Sequence, residues 1–144
     1  MKLEDIELAL AEELASNIGS GWDVKKPGIS FTPNVNRPYA IGTVILGRPD
    51  RVAFGQGGYY RTVGLYQIDL FWPSKDKESR SLLQKADTLK DIFFPPDNSG
   101  RTLTTDSGNI EFDKEPGSPP FSEDAITHLK KTLEVWFYFD RPPE

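Results

Sequence analysis

The run from Thr132 to Phe139 constrains the fold more than any other part of the chain. Leu133, Val135, Phe137 and Phe139 alternate with Thr132, Glu134, Trp136 and Tyr138. Period-two alternation marks a β-strand, whose successive side chains point to opposite faces. Large apolar residues stand on both faces of this one. One cover is a helix layer; the other is a second subunit, unless Trp136 and Tyr138 simply sit half-exposed on the sheet. Two further runs supply strands for such a sheet. Tyr39, Ile41, Thr43 and Ile45 alternate with Ala40, Gly42, Val44 and Leu46. Thr62 to Trp72 then runs unbroken except at Gly64, with Tyr66, Ile68, Leu70 and Trp72 on one face and Leu65, Gln67, Asp69 and Phe71 on the wetter one. A long loop joins these two runs, which predicts an antiparallel hairpin.

Helical spacing appears twice. Leu3, Ile6, Leu10 and Leu14 recur at steps of three and four, with Ala11 and Ile18 beside them. Glu4, Asp5, Glu7, Glu12 and Glu13 fill the other positions and read as a solvated face, and Gly19-Ser20-Gly21 is the stop. A second helix is predicted from an N-cap at Asp76, with the stripe Leu82, Ala86, Leu89 and Phe93, Leu83 and Ile92 flanking it, and Pro95-Pro96 ending it. Ile29-Ser30-Phe31 reads as a very short strand. Arg101 to Thr105 and Asn109 to Phe112 read as two short strands around a turn at Asp106-Ser107-Gly108. Glu115 to Asp124 is a loop, and Ile126 to Lys131 is ambiguous between a helical turn and an early strand. The order predicts an α+β fold: one antiparallel or mixed sheet with two helices packed on one face. A length of 144 residues suits one domain.

Little in the sequence points to catalysis. There are no cysteines, so neither disulfides nor thiolate chemistry are expected. The net charge of -5 argues against a protein that grips nucleic acid through phosphates. No apolar run is long enough to span a membrane, and Met1-Lys2-Leu3-Glu4-Asp5 does not open a signal peptide, so a soluble, intracellular protein is expected. The one histidine, His128, lies in a charged segment and reads as a surface residue with no orienting partner nearby. No spacing resembles a zinc site, and Asp106-Ser107-Gly108-Asn109 lacks the acids of a calcium loop. Gly55-Gln56-Gly57-Gly58 is followed by Tyr59-Tyr60-Arg61 and a strand, where a phosphate loop would continue with Lys and a helix. Expected cofactors and metals are therefore none.

The loop from Gly47 to Arg61 has an unusual composition for a hairpin tip. It carries Arg48, Asp50, Arg51, Phe54, Tyr59, Tyr60 and Arg61. Arginine and aromatics are enriched where proteins meet proteins. A long loop without structure of its own is either functional or disordered. These seven residues are the candidate assembly interface, with the acidic first helix of a neighbouring copy as one possible partner.

Several segments in order resemble one family. A short N-terminal helix comes first. Phe31-Thr32-Pro33-Asn34 then leads into Pro38-Tyr39-Ala40-Ile41-Gly42-Thr43-Val44, and the loop ends in Arg61-Thr62-Val63-Gly64-Leu65-Tyr66-Gln67-Ile68-Asp69-Leu70-Phe71. After Trp72-Pro73 comes a helix with Ala86, Asp87 and Leu89, then Phe94-Pro95 and a final strand. Over nearly its full length the chain resembles the phage tail terminators and their prophage relatives. The extended Glu115–Asp124 loop departs from the more compact members. The resemblance implies a structural virion protein and not an enzyme. It implies a homo-oligomeric ring, typically of six subunits, at the head-proximal end of the tail, assembled in the host cytoplasm. Its expected partners are the major tail tube protein and a head-side connector or completion protein, with DNA passing through the pore without specific binding. An acidic chain is compatible with such a pore. The rival readings are a head–tail connector or neck protein, and a small nucleic-acid- or ligand-binding module.

Overall fold

The structure is a computed structural model, and it describes residues 2–51, 60–73, 79–95, 101–112, 116–117, 122–124 and 128–141. Among the described residues two helices, α1 (Leu3–Ile18) and α2 (Ser79–Phe93), accompany eight strands. The strands are β1 (Asp23–Val24), β2 (Tyr39–Leu46), β3 (Asp50–Arg51), β4 (Tyr60–Pro73), β5 (Arg101–Thr105), β6 (Gly108–Phe112), β7 (Ser122–Asp124) and β8 (His128–Arg141). All belong to one mixed sheet in the order β1-β2-β4-β8-β6-β5, with β3 beside β4 and β7 beside β8. Among the described strands, only β1 with β2 is parallel.

The predicted hairpin forms with Tyr39 opposite Phe71 and Leu46 opposite Gly64. The C-terminal strand pairs with β4 along its whole length, from Tyr60 opposite Arg141 to Pro73 opposite His128. That register places Tyr66, Ile68 and Leu70 on the same face as Leu133, Val135 and Phe137, and all six are buried. Both helices cover this face. α1 contributes Ile6, Leu10, Leu14 and Ile18, and α2 contributes Leu82, Ala86, Leu89 and Phe93. Leu3 is the exception to the first predicted stripe: it stays 48% exposed, and Ile18 takes the fourth core position. A chain of edge-to-face rings, Tyr66–Phe93, Phe93–Phe112 and Phe112–Phe137, ties β4, α2, β6 and β8 together.

Polar contacts fix the helices over the sheet. The Arg101 guanidinium on β5 pairs with Glu13 of α1 and donates to the Ile92 carbonyl of α2 at 2.9 Å. Lys85 of α2 donates to the Ile18 carbonyl at 2.6 Å, satisfying an end group that α1 cannot satisfy itself. Glu13 is thus part of the packed structure, not of a solvated face.

Several short elements differ from expectation. Ile29-Ser30-Phe31 is not a strand; β1 at Asp23–Val24 is, held by Arg37, whose Nε reaches both Asp23 carboxylate oxygens at 3.2 Å. The Glu115–Asp124 loop contributes β7 and a bridge between Gly117 and Glu134. The ambiguous segment is strand from His128 onward. His128 is not a surface residue: it is 2% exposed, its Nε2 lies 3.1 Å from the Arg37 carbonyl, and its ring meets the edge of Tyr39. Phe71, expected on the wetter face, is buried because it stacks on Tyr39 at 4.4 Å. The Asp76 cap lies outside the described residues.

Candidate assembly surface

The face of the sheet away from the helices carries the candidate site. One end of it is covered by the chain's own segment before β2: Phe31 packs on Tyr39, beside the Phe71 stack and His128. Over the rest no described helix packs, and its side chains form rows across the strands. Ile41, Asp69 and Thr132 make one row, and Thr43, Gln67 and Glu134 the next. Apart from Ile41 these are polar, and Asp69, Thr132 and Gln67 bond within the sheet. Thr132 Oγ1 donates to Asp69 at 2.7 Å, and Gln67 Nε2 reaches the same carboxylate at 3.3 Å.

Nearer the hairpin tip the rows become apolar. Ile45, Leu65 and Trp136 stand side by side on three strands, and Val63 stands beside Tyr138. Ile45 is 50% and Val63 47% exposed, while Leu65, Trp136 and Tyr138 are half-buried. Cross-strand neighbours on one face of an antiparallel pair have Cβ atoms about 4.5–5.5 Å apart, so these five form a continuous patch. Among the described elements, neither helix lies on this face. The C-terminal strand was expected to need cover on its second face, and the patch surrounds its Trp136 and Tyr138.

Arg61 borders the patch. It stands opposite Asp140 and grips it with two bonds, Nε to Oδ1 at 2.8 Å and Nη2 to Oδ2 at 3.1 Å. Its guanidinium carbon lies 4.0 Å from the Tyr138 ring centroid. A two-pronged, ring-stacked arginine is held in place more firmly than a surface lysine would be. Arg61 therefore supports the patch from within the chain.

The loop expected to be structureless zips up at both ends. Gly47 N–H donates to the Val63 carbonyl at 2.9 Å, and β3 pairs Asp50 with Arg61 and Arg51 with Tyr60. Arg48 is exposed at the start of this extension. Phe54 and Tyr59 lie outside the described residues. Of the seven candidate residues, the structure thus brings Asp50, Arg51, Tyr60 and Arg61 together on paired strands beside the apolar patch. Sequence reasoning missed Ile45, Val63 and Leu65. Their signal was present, since both faces of the two hairpin runs carry apolar residues, but their adjacency depends on the register.

Among the described residues no three His, Cys, Asp or Glu side chains gather where they could hold a metal. No helix is long and apolar enough to cross a membrane. Burial pushes the Tyr66 hydroxyl well above the ordinary tyrosine range.

Comparison with known proteins agrees with the fold and identifies the family. No curated protein matches the sequence significantly. A solved structure whose name states no function superimposes over 98% of this chain and 94% of its own, with a TM-score of 0.59 at 19% identity. That likeness is one of fold. The model of the family described as "Phage tail terminator protein" matches residues 5–129, from the first turn of α1 into the start of β8. The chain belongs to the phage tail terminator family, whose members serve as structural parts of the phage tail.

Proposed function

We propose that this protein caps a completed tail tube, ends polymerisation of the tube protein and offers the surface on which the head-side connector docks. Residues 1–144 act as one unit, several copies of which form a ring at the head-proximal end of the tail. DNA passes through the ring without being held. The observation that carries this reading is the apolar patch of Ile45, Val63, Leu65, Trp136 and Tyr138, with Ile45 and Val63 half exposed, contiguous with the arginine- and tyrosine-bearing hairpin. Exposed apolar surface rimmed by polar groups marks a protein-docking site, and Trp, Tyr and Arg are the residues that dominate such sites. Family membership supports the tail as the setting.

The deciding experiment is electron microscopy of tails assembled without the protein. Overlong tubes lacking heads are the expected result. Tubes of normal length that fail only to join heads would overturn capping and favour a neck protein. The hairpin is tested by Arg48→Glu with Arg51→Glu, which should leave the monomer folded and abolish capping. Arg61 is kept, because reversing its charge opposite Asp140 would disturb the sheet itself. Normal tails from the double variant would remove the hairpin from the interface.

A further inference from the structure

The second strand is only partly paired on its outer side. β1 meets just Tyr39 and Ala40. Asp23 N–H donates to the Pro38 carbonyl and Lys25 N–H to the Ala40 carbonyl, both at 3.1 Å. Gly47 N–H, in contrast, donates inward to Val63 of β4. Peptide groups alternate direction along a strand, so even-numbered residues of β2 face outward. Gly42, Val44 and Leu46 therefore direct their N–H and C=O groups away from β4, where no described residue bonds them. A groove of about 320 Å³ runs alongside, walled by Gly42, Thr43 and Val44, by Glu7 and Ala11 of α1, and by Lys25, Pro27 and Gly28.

The same chain holds an unused strand-former. Ile29-Ser30-Phe31-Thr32 has β-type composition, yet Ser30, Phe31 and Thr32 make no backbone hydrogen bond to any described residue, and Ile29 is 57% exposed. This segment cannot fill its own groove. A parallel continuation of β1 would place residues 25–28 there, but Pro27 lacks an N–H and Gly28 turns the chain away at a φ of 73°. An antiparallel return would have to pass the outer edge at Tyr39 and Ala40, which β1 already occupies.

We infer that the open half-edge of β2, at Gly42, Val44 and Leu46, accepts the Ile29–Thr32 segment of a second copy of this chain as an added strand. Donor and acceptor are different surfaces, so the contact is head-to-tail and propagates from copy to copy, which closes into a ring when the rotation permits. Main-chain pairing supplies the attachment, and Ile29 leaves solvent in the process. The inference rests on the proposed ring for its biological setting, but the pairing itself is testable apart from it.

The chain has no cysteine, so engineered cysteines report contacts without background. Differently tagged Ser30→Cys and Thr43→Cys or Val44→Cys proteins are to be mixed and oxidised, both in assembled tails and as concentrated purified protein. A cross-link between copies is expected, with neither single variant cross-linking alone. Its absence in both preparations overturns the inference. As a second arm, Val44→Pro removes one outward N–H at a position where proline is tolerated on an open edge. It should leave the monomer folded, with some loss of Val44 packing, and lower self-association, or copies per tail, at least tenfold. Wild-type association by a folded Val44→Pro protein also overturns the inference. If the cross-link forms but tails lacking the protein have normal length, the capping reading fails and the strand pairing stands.

Discussion

Gly42 tests the packing of the sheet most sharply. A Cβ built on it would lie 2.7 Å from Tyr66 Cε1 and closer still to Cζ and Oη of the same ring. Tyr66 lies flat across Gly42 on the helix-bearing face, and it is buried under α2 against Phe93. In Gly42→Ala the added methyl must displace that ring. Overpacking of this kind costs about 1–3 kcal/mol. Replacing glycine recovers about 0.4–1 kcal/mol by restricting the unfolded chain. The net expectation is a loss of about 1–2 kcal/mol, which at about 2–4 °C per kcal/mol lowers the melting temperature by about 2–8 °C. Scanning calorimetry with circular dichroism measures it. The nearest contacts include the hydroxyl, so Tyr66→Phe should partly rescue Gly42→Ala, with a coupling of about 0.5 kcal/mol or more in the double-mutant cycle. A Gly42→Ala melting temperature at or above wild type would refute the steric argument, and so would strict additivity.

Tyr66 also sets an alkaline limit. Burial raises its folded pKa above the unfolded value of about 10. The folded protein then binds more protons than the unfolded chain above that pH, so stability falls as pH rises beyond about 10. Denaturant titrations between pH 9 and 11 should show wild type losing stability more steeply than Tyr66→Phe. Arg101→Ala removes the group that joins β5 to both helices and leaves the Glu13 carboxylate short of its partner. It should cost about 1–3 kcal/mol, read from the urea midpoint with an unchanged slope. His128→Ala removes the bond to the Arg37 carbonyl and the contact with Tyr39. Limited proteolysis between Ile29 and Arg37 should speed up several-fold, and unchanged cleavage would show that His128 does not anchor this segment.

The periodic elements were legible in the sequence because each states its own pattern locally. The stripe Leu82, Ala86, Leu89, Phe93 and the alternation from Leu133 to Phe139 needed no knowledge of neighbours. What stayed hidden depends on distant partners. His128 looks like a surface residue among Leu129, Lys130 and Lys131 until the Arg37 carbonyl, 91 positions away, is brought beside it. Asp23–Val24 is too short to carry a pattern and is a strand only because Tyr39 and Ala40 accept it. Arg61 looked like one of several loop arginines, but the β4–β8 register turns it onto Asp140 and Tyr138. The row Ile45–Leu65–Trp136 likewise exists only once three strands are aligned.

The pairing of β4 with β8 also governs when the fold can form. It joins residues 60–73 to residues 128–141, so the middle of the sheet closes a loop of more than fifty residues. The hairpin of β2 and β4 can form early from neighbouring sequence, but its inner edge waits for the last strand. Long-range pairing of this kind slows folding and prolongs exposure of apolar strands. During synthesis, Tyr66, Ile68 and Leu70 have no sheet partner on that side until β8 leaves the ribosome. The Ile45–Leu65–Trp136 row is completed at the same moment, since Trp136 arrives with β8. A nascent chain therefore lacks the full apolar row until the fold is complete.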